Sequence, residues 1–353
     1  MYTITRKTKQ ILFVFLTIAL TLTFRATASE GFLVKTNPET FMINIDYFVS
    51  TPAAKPEALV VEMPLPSSNA YQDVVLPHPG DMPGSVLHYP ETNDAYMHLA
   101  FGGKDFFRRE NFGASYEFEV TLYDIAVDFG KITTLYDYDT STDMYKQYTK
   151  ANGEHIQPRN PDIVRIAAEL GSDCDDLEFA RRAYDYVARN FEYYEDNRIK
   201  RIDVIFADGR GNCGSLSSVF ISLLRNRGIP ARHLVGYKKN EKAHIFSEFY
   251  LENYGWVPVD VTYRNTNPNT DYFGRIRKDD AMVVLSRDIN LTLRGLTGGE
   301  KVNAMQKGRF RWSGQKGDMM RIVSTFNFAC APMKEDVMLA SNGVGPVGAK
   351  LMW

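Results

Sequence analysis

GRGNCGSLSSVFISLLRNRGIPARHLVGY, residues 209–237, reads as a glycine-rich turn, a helix, a stop and a strand, and it sets how the chain is read on either side. Asn212 is a good N-cap, which places Cys213 at or near the first helical position. Leu216, Val219, Phe220, Leu223 and Leu224 recur at i, i+3, i+4, i+7 and i+8 and make one apolar stripe from Cys213 to Arg227. Gly228 and Pro230 end the helix, and ARHLVGY (231–237) has the composition of a strand. Cys213 falls on the buried side of the stripe. Two roles fit that position equally well: a small buried hydrophobe, or a nucleophile whose thiolate is stabilised by the helix dipole and unpaired backbone N–H groups.

The next two strands shift the balance. HIFSEFYL (244–251) and WVPVDVTY (256–263) are joined by ENYG, a hairpin-type loop. In an antiparallel pair, His244 and Asp260 share a face only when facing residue numbers sum to an even value, as with Tyr250 opposite Trp256. A simple four-residue loop would set Leu251 opposite Trp256 and turn Asp260 away. The pairing that unites them therefore requires a three- or five-residue loop, or a bulge. In that register Asp260 can orient His244 and His244 can take the proton of Cys213, the nucleophile–base–orienter arrangement of covalent acyl transfer.

The segment GRGNCGSLSSVFISLLRNRGIPARHLVGY…HIFSEFYLENYGWVPVDVTY resembles the transglutaminase-like superfamily of papain-fold cysteine enzymes. It shares a glycine-led cysteine, an LLR..GIPAR...GY continuation, a histidine opening a strand, and GW.P.D.T. The close match covers 209–263 and extends more loosely from about residue 160. The resemblance implies Cys213 as nucleophile, His244 as base and Asp260 as orienter. Ile245-Phe246 stands where the family often has Ala-Trp, and Val261 replaces a common proline; Phe246 then reshapes the acyl-binding groove. In papain-like peptidases the histidine follows the cysteine by about 130–150 residues. Here His244 is 31 residues after Cys213, and Asp260 is 16 after His244, the transglutaminase-like order.

Upstream, FMINIDYFV (41–49), ALVVEMPL (58–65) and YEFEVTLYDIAV (116–127) are β-branched, aromatic and partly alternating, with Pro/Gly/Asn/Asp clusters between. They predict an antiparallel β-sandwich, which members of the family often carry before the catalytic domain. PDIVRIAAEL (161–170) and DLEFARRAYDYVARNFEYY (176–194) follow at helical spacing. The expected fold is α+β: a signal peptide over 1–28, a sandwich over 29–150, a transglutaminase-like domain over 151–300 with its catalytic helix packed on an antiparallel sheet, and an extension over 301–353 packed on that domain.

Residues 1–28 have a basic start (Arg6, Lys7, Lys9), an apolar run over 11–24 and Ala26-Thr27-Ala28. They predict a cleaved leader, a secreted or periplasmic protein and no stable membrane span. Cleavage removes four basic residues and no acidic one, taking the net charge from −2 to −6, which excludes a nucleic-acid partner. Three cysteines, Cys174, Cys213 and Cys330, leave at least one unpaired thiol; Cys174 and Cys330 are the pair open to a disulfide. The remaining histidines (His78, His88, His98, His155, His233) form no ligand motif, so no metal and no cofactor is expected, and His233 reads as a packed or partly exposed strand residue. DYDTSTD (137–143) alternates carboxylates like a calcium loop but lacks its glycine and closing glutamate. YKKNEKAH and RFRW read as solvated charge. The expected partner is a peptide or protein amide, with cell-wall or glycoprotein material among the options. Hydrolysis is the first reading. A cross-linking acyltransferase and a catalytically inactive glycan- or protein-binding module are the alternatives.

Overall fold

A computed structural model describes residues 31–50, 58–78, 84–102, 111–171, 173–239, 242–277, 279–294, 299–306, 308–313, 321–330 and 350–352. The expected signal peptide lies outside the described residues.

The first half is built of strands whose residues alternate in and out. These are β1 (Leu33–Ser50), β2 (Ala58–Leu65), β3 (Gln72–Val75), β4 (Ser85–His88), β5 (Ala95–Gly102) and β6 (Asn111–Val127). The long antiparallel pair β1–β6 forms the centre of one sheet, and β2–β5–β4 belongs to a second. Phe41, Ile43 and Ile45 face Leu59, Val61 and Met63, with Tyr116, Phe118 and Val120 beside them, all buried in one core. The period of two along each strand is what makes two sheets with one shared apolar interior.

The second unit is mixed. A helix at Asp143–Thr149 starts where the DYDTSTD stretch ends: Asp139 accepts from Ser141 and Thr142 caps the helix, so this stretch is a turn. Helices Pro161–Gly171 and Asp176–Asn190 follow, then β7 (Glu192–Tyr193), helix Ile202–Asp208, β8 (Arg210–Gly211) and helix Cys213–Arg227. That last helix is buried from Gly214 to Arg225, more than its single apolar stripe predicts. Ser217, Ser218 and Ser222 are buried outside the stripe: Ser218 faces the strand that follows the helix, its Oγ 3.2 Å from His233 Nε2, and Ser222 accepts the Gln157 N–H at 3.0 Å. Gly228 ends it at φ 87°, in the left-handed region.

β9 (Ala231–Lys238), β10 (Ala243–Leu251), β11 (Gly255–Val259), β12 (Arg275–Ile276) and β13 (Met282–Arg287) follow, and the antiparallel order β11–β10–β9–β13 carries the helix on one face. Ile245, Phe249, Val257 and Val259 point to the helix; Phe246, Leu234, Met282 and Val284 point towards Tyr71 and Ile125 of the sandwich. At Gly236 a Cβ would sit 1.9 Å from the Val283 carbonyl oxygen, so glycine alone permits the close, bulged pairing of β9 with β13.

Two expectations need correcting. WVPVDVTY is not one strand: β11 stops at Val259, and Val261–Thr266 is a short helix with Asp260 as its N-cap, accepting from the N–H groups of Thr262 and Tyr263. The capping carboxylate outweighs the β-branched composition. The chain after residue 300 does not pack wholly on the catalytic unit either. Beyond β14 (Leu291–Leu293) and β15 (Glu300–Val302), strand β16 (Arg309–Ser313) pairs with β2, β17 (Arg321–Cys330) with β1, and β18 (Lys350–Met352) with β6. The C-terminal strands thus complete the sandwich by covering edges that β1 and β2 would otherwise expose. RFRW lies within β16 and is ion-paired: Arg309 meets Glu300 at 2.9 Å, and Arg311 meets the buried Glu62 at 2.9 Å.

Candidate active site

Asn212 builds the site from its first residue. Its side-chain oxygen accepts the Ser215 N–H at 2.9 Å, and its amide donates to the carbonyls of Asp196 (2.8 Å) and Arg198 (3.0 Å). The cap is therefore tied to the helix and to the neighbouring loop at once. Cys213 follows as the first helical residue, half-buried and a free thiol, with its N–H among those a helix start leaves without an intrahelical acceptor. Cys174 is also a free thiol; the side chain of Cys330 lies outside the described residues.

The hairpin has the register that unites the other two groups. Tyr250 faces Trp256 and Leu251 faces Gly255, so the loop is the three residues Glu252-Asn253-Tyr254, with Asn253 at φ 64°. His244 Nε2 and Asp260 Oδ2 are 2.6 Å apart, and both side chains are buried. The other carboxylate oxygen of Asp260 holds the Thr262 and Tyr263 N–H groups at 3.0 Å each, so a helix start fixes the orienter as it does the thiol. With Nε2 engaged, Nδ1 is the ring nitrogen left for Cys213. Burial pulls the His244 pKa down, but the charge and hydrogen bond of Asp260, with the hydrogen-bonded Cys213 thiol behind them, overcome it and raise the pKa to about 10.

Several further residues surround Cys213, His244 and Asp260, and of these Tyr263, Tyr193, Gln306 and the Glu248 network carried no signal in the sequence. The Tyr263 ring lies 5.3 Å from the His244 ring, and Phe246 stacks near it at 6.3 Å. Lys238, from the YKKNEKAH run, donates to the Tyr263 hydroxyl, and Lys239 pairs with Glu39 at 2.7 Å, so these lysines are tethered rather than free. Tyr193 is close enough for Cys213 to raise its pKa, behind the larger effects of burial and its hydrogen bond to Glu195. Gln306 donates to the backbone carbonyls of His244 (3.0 Å) and Gly236 (3.2 Å), bracing the start of β10 from the C-terminal segment. Below the triad, Glu248 accepts from Arg232 at 2.5 Å and Tyr71 at 2.6 Å, a buried network joining the sheet to the sandwich. His233 is fully buried. Among the described residues no cluster of three His, Cys, Asp or Glu side chains is arranged to hold a metal ion.

The comparisons with known proteins concern the fold that carries these residues. Residues 164–261 match the family model of the transglutaminase-like superfamily. An uncharacterized protein of Haemophilus influenzae is 31% identical over 158 residues, 35% of this chain and 41% of that protein. The uncharacterized protein YebA of Bacillus subtilis is 30% identical over 135 residues, 31% of this chain and 18% of its own. The matched stretch thus spans less than half of either curated relative. A crystal structure from Cytophaga hutchinsonii, described as a "Putative Cysteine Protease", shares the fold with a TM-score of 0.50 at 14% identity, over 91% of this chain and 100% of that one. No helix among the described residues is long and apolar enough to cross a membrane.

Proposed function

We propose that the protein is an exported hydrolase of peptide or protein amide bonds that works through an acyl-thioester on Cys213. One observation carries the reading: a buried His244 held at 2.6 Å by Asp260, with its remaining nitrogen on the side of a free thiol at a helix start. A His244 pKa near 10 keeps the imidazole protonated at neutral pH, the partner a thiolate needs. The Cys213 sulfur attacks the amide carbonyl, and the new oxyanion takes the Cys213 N–H. As the C–N bond breaks, His244 gives its proton to the leaving amine. Water then attacks the thioester, His244 accepts its proton, and the Cys213 sulfur departs with the acid product released. The basic and apolar runs of residues 1–28 support export. The name carried by the Cytophaga hutchinsonii structure agrees with the hydrolytic reading.

The test is an electrophilic amide-like probe on the whole protein, followed by peptide mixtures with mass-spectrometric sequencing of products. The expected result is an adduct on Cys213 and new peptide termini, with Cys213→Ala folded but without turnover. Amine incorporation without hydrolysis would make it an acyltransferase. Full activity of Cys213→Ala would remove the covalent mechanism.

A further inference from the structure

We propose that His233 is a positioning residue for the nucleophile, fixing the first turn of the Cys213 helix from strand β9 through the Gly214 carbonyl and the Ser218 hydroxyl. The inference rests on the reading of Cys213 as the nucleophile and deepens it. A buried imidazole on a core strand is costly unless its nitrogens are used. His233 is 0% exposed, and its Nε2 lies 3.3 Å from the Gly214 oxygen and 3.2 Å from Ser218 Oγ. A carbonyl only accepts, so Nε2 carries the proton. Ser218 Oγ in turn donates to the same Gly214 oxygen at 2.8 Å.

That carbonyl shares a peptide unit with the Ser215 N–H, which donates to the Asn212 side chain at 2.9 Å. Hydrogen bonds at both ends of one peptide polarise it and strengthen each other. His233 therefore reinforces the cap that sets the Asn212–Cys213 peptide, whose N–H is the one offered to the oxyanion. The strand that carries the imidazole is itself held in place. The Asp288 N–H donates to the His233 carbonyl at 2.8 Å and fixes the strand there, while Asp288 Oδ1, 3.7 Å from Nδ1, is too far for a hydrogen bond and leaves Nε2 as the ring nitrogen in use. The Asp288 carboxylate is gripped by Arg225 of the same helix at 3.4 Å and by Asn152 at 3.2 Å. Burial pushes the His233 pKa down, which keeps the ring neutral. Neither Gly214, Ser218 nor His233 touches the reacting atoms; the effect passes through the cap.

The test compares full-length wild type, His233→Val and His233→Gln by thermal melting, by kcat and KM on the amide substrate found above, and by the rate of Cys213 alkylation with iodoacetamide at pH 7.5. His233→Val should lower kcat and the alkylation rate by about tenfold or more with KM within about twofold, as a small misplacement of a reacting group does. His233→Gln, whose amide can donate to Gly214, should recover most of both rates. Alkylation within twofold of wild type in folded His233→Val would overturn the proposal, as would equal impairment of the two variants. Should the valine variant not fold, the glutamine variant decides: a near-wild-type alkylation rate supports the proposal and a tenfold loss overturns it. Alkylation needs no substrate, so it still reads this proposal if no amide is hydrolysed and the hydrolase reading fails.

Discussion

Two His–Asp pairs flank the start of the Cys213 helix, and they are set to opposite tasks. At the mouth of the site, His244 and Asp260 are in contact at 2.6 Å, and the pair raises the histidine pKa to about 10. Behind the helix, His233 and Asp288 stand 3.7 Å apart, beyond hydrogen-bonding range, and burial pushes the histidine pKa down. Both histidines are buried, so burial alone does not separate them. The difference lies in where each carboxylate spends its charge. Asp260 gives one oxygen to two backbone N–H groups and keeps the other for His244. Asp288 spends its charge on Arg225 and Asn152. A charged imidazole can give a proton to a leaving group; His233, neutral and with its Nε2–H directed at the Gly214 carbonyl, is placed to hold the helix start instead.

Substituting each acid's partner chemistry should break the two pairs in different ways. Asp260→Asn should lower kcat by about 10³- to 10⁴-fold, since the wrong tautomer and a lost charge disable the base. Asparagine is as good an N-cap as aspartate, so the Val261–Thr266 helix should survive and the variant should fold, with the melting temperature lowered only by the lost ion pair to His244. A large loss of stability with activity per folded molecule preserved would make Asp260 a structural cap only. Arg225→Met should do the reverse. It strands the fully buried Asp288 without its counter-charge, a loss of about 3–5 kcal/mol by urea unfolding. A loss under about 1 kcal/mol would show that Asn152 and water suffice for that carboxylate.

How much of this was legible in the sequence depended on how local each cause is. The Cys213–Arg227 helix could be read end to end, because its cap, stripe and glycine stop all lie within the helix or next to it. The β10–β11 register could only be posed as a parity question. It is answered by Tyr254, whose buried ring joins the core and whose hydroxyl donates to the Thr134 carbonyl at 2.9 Å. That contact bridges 120 residues, and no feature of ENYG reveals it. The same holds for β16 and β17, which cross the whole chain to pair with β2 and β1. His233 looked like an ordinary strand residue because its partners come from the helix before it and from Asp288 well after it. Asp260 was picked out as the orienter, but its second role as a cap was hidden by the strand-like VTY that follows.

The most direct test is the protonation of the two histidines in one sample, read by ¹⁵N NMR of imidazole-labelled protein against pH. At pH 7.5 His244 should carry protons on both nitrogens and release one only as the pH approaches about 10, while His233 should carry a single proton, on Nε2. The sign follows from the shifts: a raised pKa keeps the proton through neutrality, and a lowered one sheds it below the usual value of about 6.5. In Asp260→Asn the His244 transition should fall towards that ordinary value. Finding His244 neutral at pH 7.5, with a midpoint near 6.5 that Asp260→Asn does not move, would contradict the account.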